Sequence, residues 1–433
     1  MTTPSQRLQA FFFQPLSATG FGLLRIAFGG FVFVSFLSRL PDVLHYYGPD
    51  GFAPVQSLAL ISSASRLTLL VWMPDADMVI ALYGLLLLSS LFLTTGLFPR
   101  LTSILTFILL VSFHNRNPLL VTGGDMVLQL IGFPIMIAPG IRALSVHRLI
   151  EQWHHFRKHK VFLPHLTMPV WPQRLLLWQL IVLYVSTAWY KALGTTWISG
   201  SAVAITLSHP HFARFPFLQP ILLPLSPVIG WLTLAWEFSW LLLLIPRDLW
   251  QRMSIDAGRI KRWILMTGLF FHLGIFLLID AGPFSLVMIM SYLGLLTDED
   301  VTILRRRLNR RFPGRIAVLF DGGCGLCRRS MVVLQMIDHL HRLEPVDFRD
   351  ARARRKIAPD LSEQDLDRSL HIRFPDGRTF TGFDALRALS RHVPALWLIA
   401  PFLYLPGVTF VGRKVYARIA ERRKRCRHGH CLL

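Results

Sequence analysis

Long uncharged apolar runs recur through the first two-thirds of the chain and then stop. Runs at about 17–39, 78–97, 101–113, 125–141, 175–193, 226–245, 263–279 and 283–296 predict eight membrane-spanning helices. The third and eighth are short enough to be tilted, extended or re-entrant. Residues 42–77 predict a long first outer loop, within which 61–72 reads as an interfacial helix. After Leu296 the pattern changes. A linker at 298–314 opens with Asp298, Glu299 and Asp300 and continues as a basic run. Ile316–Phe320 is a short apolar run rich in β-formers, as a buried strand requires. Asp321, Gly322 and Gly323 break it, as a tight strand-to-helix turn needs. A helical pattern follows through Met331, Leu334 and Ile337. Further on, the pattern predicts a strand at 345–348, a charged helical stretch, and a hairpin. The hairpin joins 370–374 to 378–381 around Pro375-Asp376-Gly377. Helices are predicted at 384–392 and 395–404. The fold class is therefore a polytopic α-helical membrane bundle of about eight spans, followed by a small α/β domain. The division is 1–297, 298–314 and 315–433.

Composition supports that class. Of 433 residues, 53% are hydrophobic and only 16% charged, too apolar for a soluble chain of this size. The N-terminus lacks a basic, apolar, small-residue cleavage pattern, so the first span is expected to remain as an anchor. Four cysteines give no secreted disulfide framework. The net charge of +21 raises nucleic acid and anionic membrane as partners. From Asp298 onward there are 27 Lys and Arg against 15 Asp and Glu, densest at 422–430. No stacking-aromatic pattern accompanies the charge, which argues against nucleic acid. On a chain with this many spans, attraction to the head groups of anionic membrane lipids accounts for it.

The basic residues also orient the chain. One set of loops holds Arg7, Arg100, Arg142 to Arg174 and Arg247 to Arg262, with Arg305 to Arg307 on the same side. The opposite loops hold Arg66, Arg116 and Arg214. The positive-inside rule places the richer set in the cytoplasm. Both termini are then expected on the cytosolic face of the plasma (inner) membrane, a reducing side.

Cys324 and Cys327 follow the glycine turn, so both sulfurs are expected in the first turn of a helix. Free backbone N–H groups and the positive end of the dipole there favour a thiolate, and Arg328 and Arg329 add positive charge. The C-x-x-C spacing lets the second sulfur resolve a mixed disulfide, so a thiol reductant is the expected partner. A zinc site would need two more ligands. The other cysteines, Cys426 and Cys431, lie about a hundred residues on. With His428 and His430 they leave three readings open: a relay dithiol, a metal clip or a basic tail. No metal ligand is assigned. The residues D-G-G-C-G-L-C after a strand resemble the DCC family of thiol-disulfide oxidoreductases. The downstream segment Arg373 to Leu386 is of the kind that family carries. The resemblance implies a thioredoxin-like fold, with Asp321, Cys324 and Cys327 in the signature positions.

Polar residues gather on the outer side of the bundle. His114 and Asn117 end the third span, and Asp125 begins the fourth. Lys191 closes the fifth, with Trp197 just beyond. Glu237 and His272 sit inside the sixth and seventh. Ionisable groups at membrane depth are costly, so they face a cavity or pair with each other. Lys191 beside Glu237 or Asp125 would satisfy both, and burial instead would make it a general base. The plainer readings are a snorkelling Lys191, a core His272 and an Arg25 that partners Glu237. In order, H-Y-Y-G-P-D-G-F-A-P, R-N-P-L-L-V-T-G-G-D, the block from Tyr184 to Gly200, and F-H-L-G resemble the HTTM family. These are membrane domains related to vitamin K-dependent γ-carboxylase. The resemblance implies that Lys191 is the nearest equivalent of the base acting on the hydroquinone, and that a quinone or quinol is the cofactor.

Two functions follow as expectations. The first is a membrane-bound oxidoreductase, in which a cytosolic dithiol is coupled to an outward-opening pocket for a quinol-like or lipid-soluble substrate. The second is a non-catalytic maturation or assembly factor for a secreted client. A transporter is disfavoured by the lack of internal symmetry.

Overall fold

The computed structural model describes residues 3–54, 67–71, 75–159, 161–311, 314–397 and 399–421. The interfacial helix expected at 61–72 falls mostly outside them; within it, Leu69–Val71 is a 3-10 turn. Cys426, His428, His430 and Cys431 also lie outside the described residues. The chain divides into two compact units. One comprises Met1–Arg148 and Pro164–Asp298; the other comprises Leu149–Leu163 and Glu299–Leu433.

The first unit is helical. Its main elements are α1 (Thr19–Leu37), α2 (Ala76–Thr95), α3 (Pro99–Arg116), α4 (Gly123–Ile137), α5 (Trp171–Leu193), α6 (Ser226–Ser239), α7 (Ala257–Leu278) and α8 (Phe284–Leu293). Among the described residues, five stretches are long and apolar enough to cross a membrane: α1, α2, α5, α7, and α6 continued to Leu244. The eight expected spans are not confirmed; α4 and α8 are apolar but shorter. Helix α3 carries Arg100, His114 and Arg116 within its length. Helix α4 has only 15 residues and α8 only 10. Pro139 closes the first of these and Pro283 opens the second, since proline cannot continue a helix at its N–H.

The helices pack through an aromatic interior that includes Phe28, Phe36, Tyr83, Phe113 and Tyr184. Glycines allow close approach: a Cβ on Gly20 would stand 2.9 Å from the Leu293 carbonyl oxygen. Arg25 is fully buried but does not meet Glu237. Its guanidinium donates to the carbonyls of Leu93 and Thr94 at the end of α2, and of Ala143 and Leu144 in the next connection. Carbonyls at a helix end lack intrahelical donors, and a buried guanidinium supplies several at once. Sequence does not fix a side chain's direction, so the pairing expected with Glu237 is replaced by this one.

The second unit contains a four-stranded sheet. Residues 298–311, expected as a linker, form α9 (Asp298–Arg311). Then come β1 (Ile316–Phe320), α10 (Gly325–Ile337), β2 (Leu343–Asp347), α11 (Ala351–Ile357), α12 (Glu363–Arg368), β3 (His371–Arg373), β4 (Thr379–Thr381), α13 (Gly382–Ser390) and α14 (Val408–Glu421). The sheet order is β2-β1-β3-β4. Strands β1 and β2 are parallel, while β3 runs antiparallel to both β1 and β4. Alternation along β1 sends Ile316 and Val318 to one core and Ala317 and Leu319 to another, so the strand is buried on both faces. The helix expected at 395–404 is broken. Pro394 opens a 3-10 turn and Pro401 starts a single helical turn, because each lacks the N–H a longer helix requires. Helix α14 was not anticipated; Gly412 lets it lie against the Phe383 ring.

Candidate functional site

Strand β1 delivers the chain to Asp321, and the glycine turn brings it back as α10. Cys324 is the N-cap of that helix, with extended backbone (φ −98, ψ 119). Its sulfur occupies the place usually taken by a serine or aspartate oxygen and accepts the N–H of Cys327 at 3.4 Å. Cys327 lies in the first turn. Neither thiol is in a disulfide; Cys324 is buried and Cys327 partly exposed.

Asp321 is buried behind the turn. Oδ1 accepts the Gly323 N–H at 2.9 Å and Arg349 Nε at 2.5 Å, and Oδ2 accepts Arg349 Nη2 at 3.0 Å. This two-pronged bond is the first cause that raises the Arg349 pKa above its ordinary value. Arg349 also reaches Asp367 at 3.2 Å. Asp347, at the end of β2, accepts the N–H groups of Gly322 and Arg349, each at 3.0 Å. A Cβ on Gly322 would stand 1.9 Å from Asp347 Oδ2, so a larger residue there would displace that carboxylate. Arg349 and Asp347 were missed from sequence; the available signal was a charged D-F-R-D run leaving a strand. Asp321, Cys324, Asp367, Arg368, Ala417, Ala420 and Glu421 line a cleft of ≈370 Å³. The turn of α14 from Ala417 to Glu421 therefore walls Cys324.

In the bundle, Lys191 Nζ bonds Glu237 Oε1 at 2.5 Å and lies 4.8 Å from the Trp197 ring centroid. That cation–π contact and ion pair hold the ammonium beside Glu237 and Trp197. His272 Nε2 meets the Tyr184 hydroxyl at 2.7 Å, and that hydroxyl meets Tyr292 at 2.5 Å. Lys191, Glu237, His272, Tyr184 and Thr187 line a cavity of ≈310 Å³ whose other walls are apolar, including Leu130 and Phe271. Glu237 Oε2 and His272 Nδ1 are buried there without a hydrogen-bond partner among the described residues. Tyr184 and Thr187 were not singled out from sequence.

His114, Asn117 and Asp125 do not line this cavity. Asp125 forms the capping box of α4 with Thr122, and His114 Nε2 stands 3.6 Å from its other oxygen. Asn117 Nδ2 donates to the Tyr46 carbonyl. All three tie helix ends and connections together, and their polarity alone could not separate that role from pocket lining. Among the described residues, no group of three His, Cys, Asp or Glu side chains is placed to hold a metal ion.

Residues 318–428 match the family model described as DCC1-like thiol-disulfide oxidoreductase. The match covers the dithiol, the sheet and α14, and it does not extend over the helical bundle. No curated protein and no solved structure matches the chain.

Proposed function

We propose that the chain is a membrane-anchored thiol–disulfide oxidoreductase whose Cys324–Cys327 pair works in the cytosol. The observation that carries this is Cys324 at a helix N-cap, accepting the Cys327 N–H and lining a cleft, within a stretch that matches the DCC1-like family. The strand order β2-β1-β3-β4, with a parallel β1–β2 pair and an antiparallel hairpin, supports a thioredoxin-like reading. In the reaction, the Cys324 thiolate attacks one sulfur of a substrate disulfide and expels the other as a thiol. The Cys327 thiolate then attacks Cys324 Sγ, closing the Cys324–Cys327 disulfide and releasing the second thiol. Two electrons and two protons pass to the substrate. A dithiol reductant returns the pair to its starting state. Asp321 and Arg349 act as positioning residues, fixing the turn that presents Cys324.

In this reading the bundle cavity holds a quinol-like or lipid-soluble molecule. Its apolar walls suit such a body, and Glu237 Oε2 with His272 Nδ1 would meet a hydroxyl or carbonyl head. Lys191, engaged by Glu237, serves as charge partner. That engagement equally favours the second reading, a maturation factor that binds a secreted client without turnover. Lys191→Ala separates the two: an enzyme loses rate with binding intact, whereas a scaffold keeps its function.

The test of the dithiol uses the purified full chain in detergent, challenged with glutathione disulfide. Cys327→Ser should trap a glutathione mixed disulfide on Cys324, and wild type should show a Cys324–Cys327 disulfide by peptide mapping. No trapped adduct on a Cys324 that an alkylating reagent still reaches would end the proposal. Reporter fusions at residue 320 that read as extracytoplasmic would end its cytosolic assignment.

A further inference from the structure

One surface of the second unit is used neither by the dithiol nor by the sheet. Helix α14 turns one side inward through Tyr416, whose hydroxyl accepts the Leu370 N–H at 2.8 Å. Its other side is apolar and open. Val411, Val415 and Ile419 are 59%, 48% and 51% exposed, and Phe410 is 63% exposed. A spacing of four puts the three aliphatic residues on one stripe. The segment before the helix adds Trp397 and Phe402, at 53% and 65%. Such a concentration of bare apolar side chains marks an interaction surface. Lys414 and Arg418 border the stripe, and Lys414 Nζ sits 4.1 Å from the Phe410 ring centroid. A bulky apolar stripe edged by basic residues is the pattern of a helix lying in a bilayer interface.

A separate observation stands beside it. A cavity of ≈500 Å³ is lined by Arg387, Arg391, Arg413, His392 and Tyr404, among others. Arg387 and Arg391 both stack on the Tyr404 ring, at 4.6 and 3.7 Å, and Arg387 donates to the Thr409 hydroxyl. Arg413 is held by Asp384 at 2.8 Å, but neither Arg387 nor Arg391 pairs with a carboxylate among the described residues. Two guanidinium groups fixed on one aromatic ring, without a counter-ion, suit a phosphate oxygen cluster.

We propose that the surface formed by Trp397, Phe402 and α14 docks on an anionic phospholipid leaflet, the stripe of α14 entering the interface and a lipid phosphate seating between Arg387 and Arg391. Lipid is the occupant that both observations fit, since it presents an apolar layer beneath a phosphate layer. The basic excess from Asp298 onward, 27 against 15, complements an anionic surface. The chain's own apolar helices hold this unit near a bilayer, so the second contact is intramolecular. The inference rests on the bundle lying in a membrane and not on disulfide exchange.

The full chain is reconstituted in nanodiscs of phosphatidylcholine alone or with phosphatidylserine, and amide hydrogen exchange is followed over 408–421. Exchange should slow at least tenfold in the anionic discs. Val411→Glu with Val415→Glu, and separately Arg391→Ala, should each abolish that slowing and leave Cys324–Cys327 disulfide formation unchanged. Equal wild-type exchange in both discs overturns the proposal. So does equal slowing in neutral discs on adding soluble glycerol phosphate, which would make free phosphate the ligand. Slowing that grows with protein concentration overturns it in favour of a second copy of the chain. Loss of disulfide exchange with lipid-dependent slowing intact would refute the redox reading and leave this one standing.

Discussion

Replacing Arg349 by methionine isolates the support beneath the dithiol. Methionine keeps much of the stem's bulk and removes the guanidinium that grips Asp321 at 2.5 and 3.0 Å. Asp321 is 3% exposed and would lose both of those bonds. Hydrogen bonds to charged groups contribute about 1.5–3 kcal/mol each. The arginine is 39% exposed, however, so water screens the pair and also reaches the carboxylate once the guanidinium is gone. A discounted loss of about 2 kcal/mol follows. With a urea slope of about 1–3 kcal/mol per molar, the midpoint should fall by about 1 M. The Arg349 pKa lies above its ordinary value, chiefly through the bond to Asp321. A group raised in the folded state stabilises fully below its unfolded pKa, so the loss should be constant from about pH 5 to 9. The assay is pulsed alkylation of Cys324 and Cys327 in the full chain across a urea series. A variant midpoint within about 0.3 M of wild type would refute the claim that this pair holds the turn.

Two further outcomes test other parts of the structure. Asp360, Asp365 and Asp376 are held below the usual carboxylate range, first by the Arg373 side chain, the Ser362 hydroxyl and the Arg378 N–H respectively. Depressed carboxylates stabilise above their unfolded pKa of about 3.9 and lose that contribution as pH falls, so the second unit should weaken below about pH 4. An alkylation midpoint that stays flat down to pH 3 would contradict this. In the bundle, Tyr184→Phe removes the hydroxyl shared by His272 and Tyr292, leaving buried polar atoms unmet at a cost of about 1–3 kcal/mol. The melting temperature in detergent should drop by about 2–6 °C, and an unchanged value would show that the pair of bonds carries no net stability.

The parts legible in sequence were those set by local pattern. The run Ile316–Phe320, the glycine turn and the Met331–Leu334 spacing fall within a strand, a turn and a helix as expected. The Pro375-Asp376-Gly377 hairpin does too, because turn chemistry is local. Helix α14 escaped notice because its aliphatic residues face outward and its inner side carries Gly412, Tyr416 and Ala420 in place of an aliphatic stripe. Helix α9 was hidden by its charge density, which reads as a linker while Arg and Leu remain good helix formers. In the bundle, the choice among partners for Lys191 depended on which helices meet. Sequence narrowed the carboxylate to Asp125 or Glu237; packing gives Glu237 to the lysine and leaves Asp125 to cap its own helix.

Part of the wall over Cys324 is a single helical turn, Ala417 to Glu421 of α14. Melting that turn would uncover the sulfur while Tyr416 and Arg413, farther back, kept their grip on the strands and on α13. Access to the thiol can thus vary through one turn of α14 without any loss of the sheet beneath.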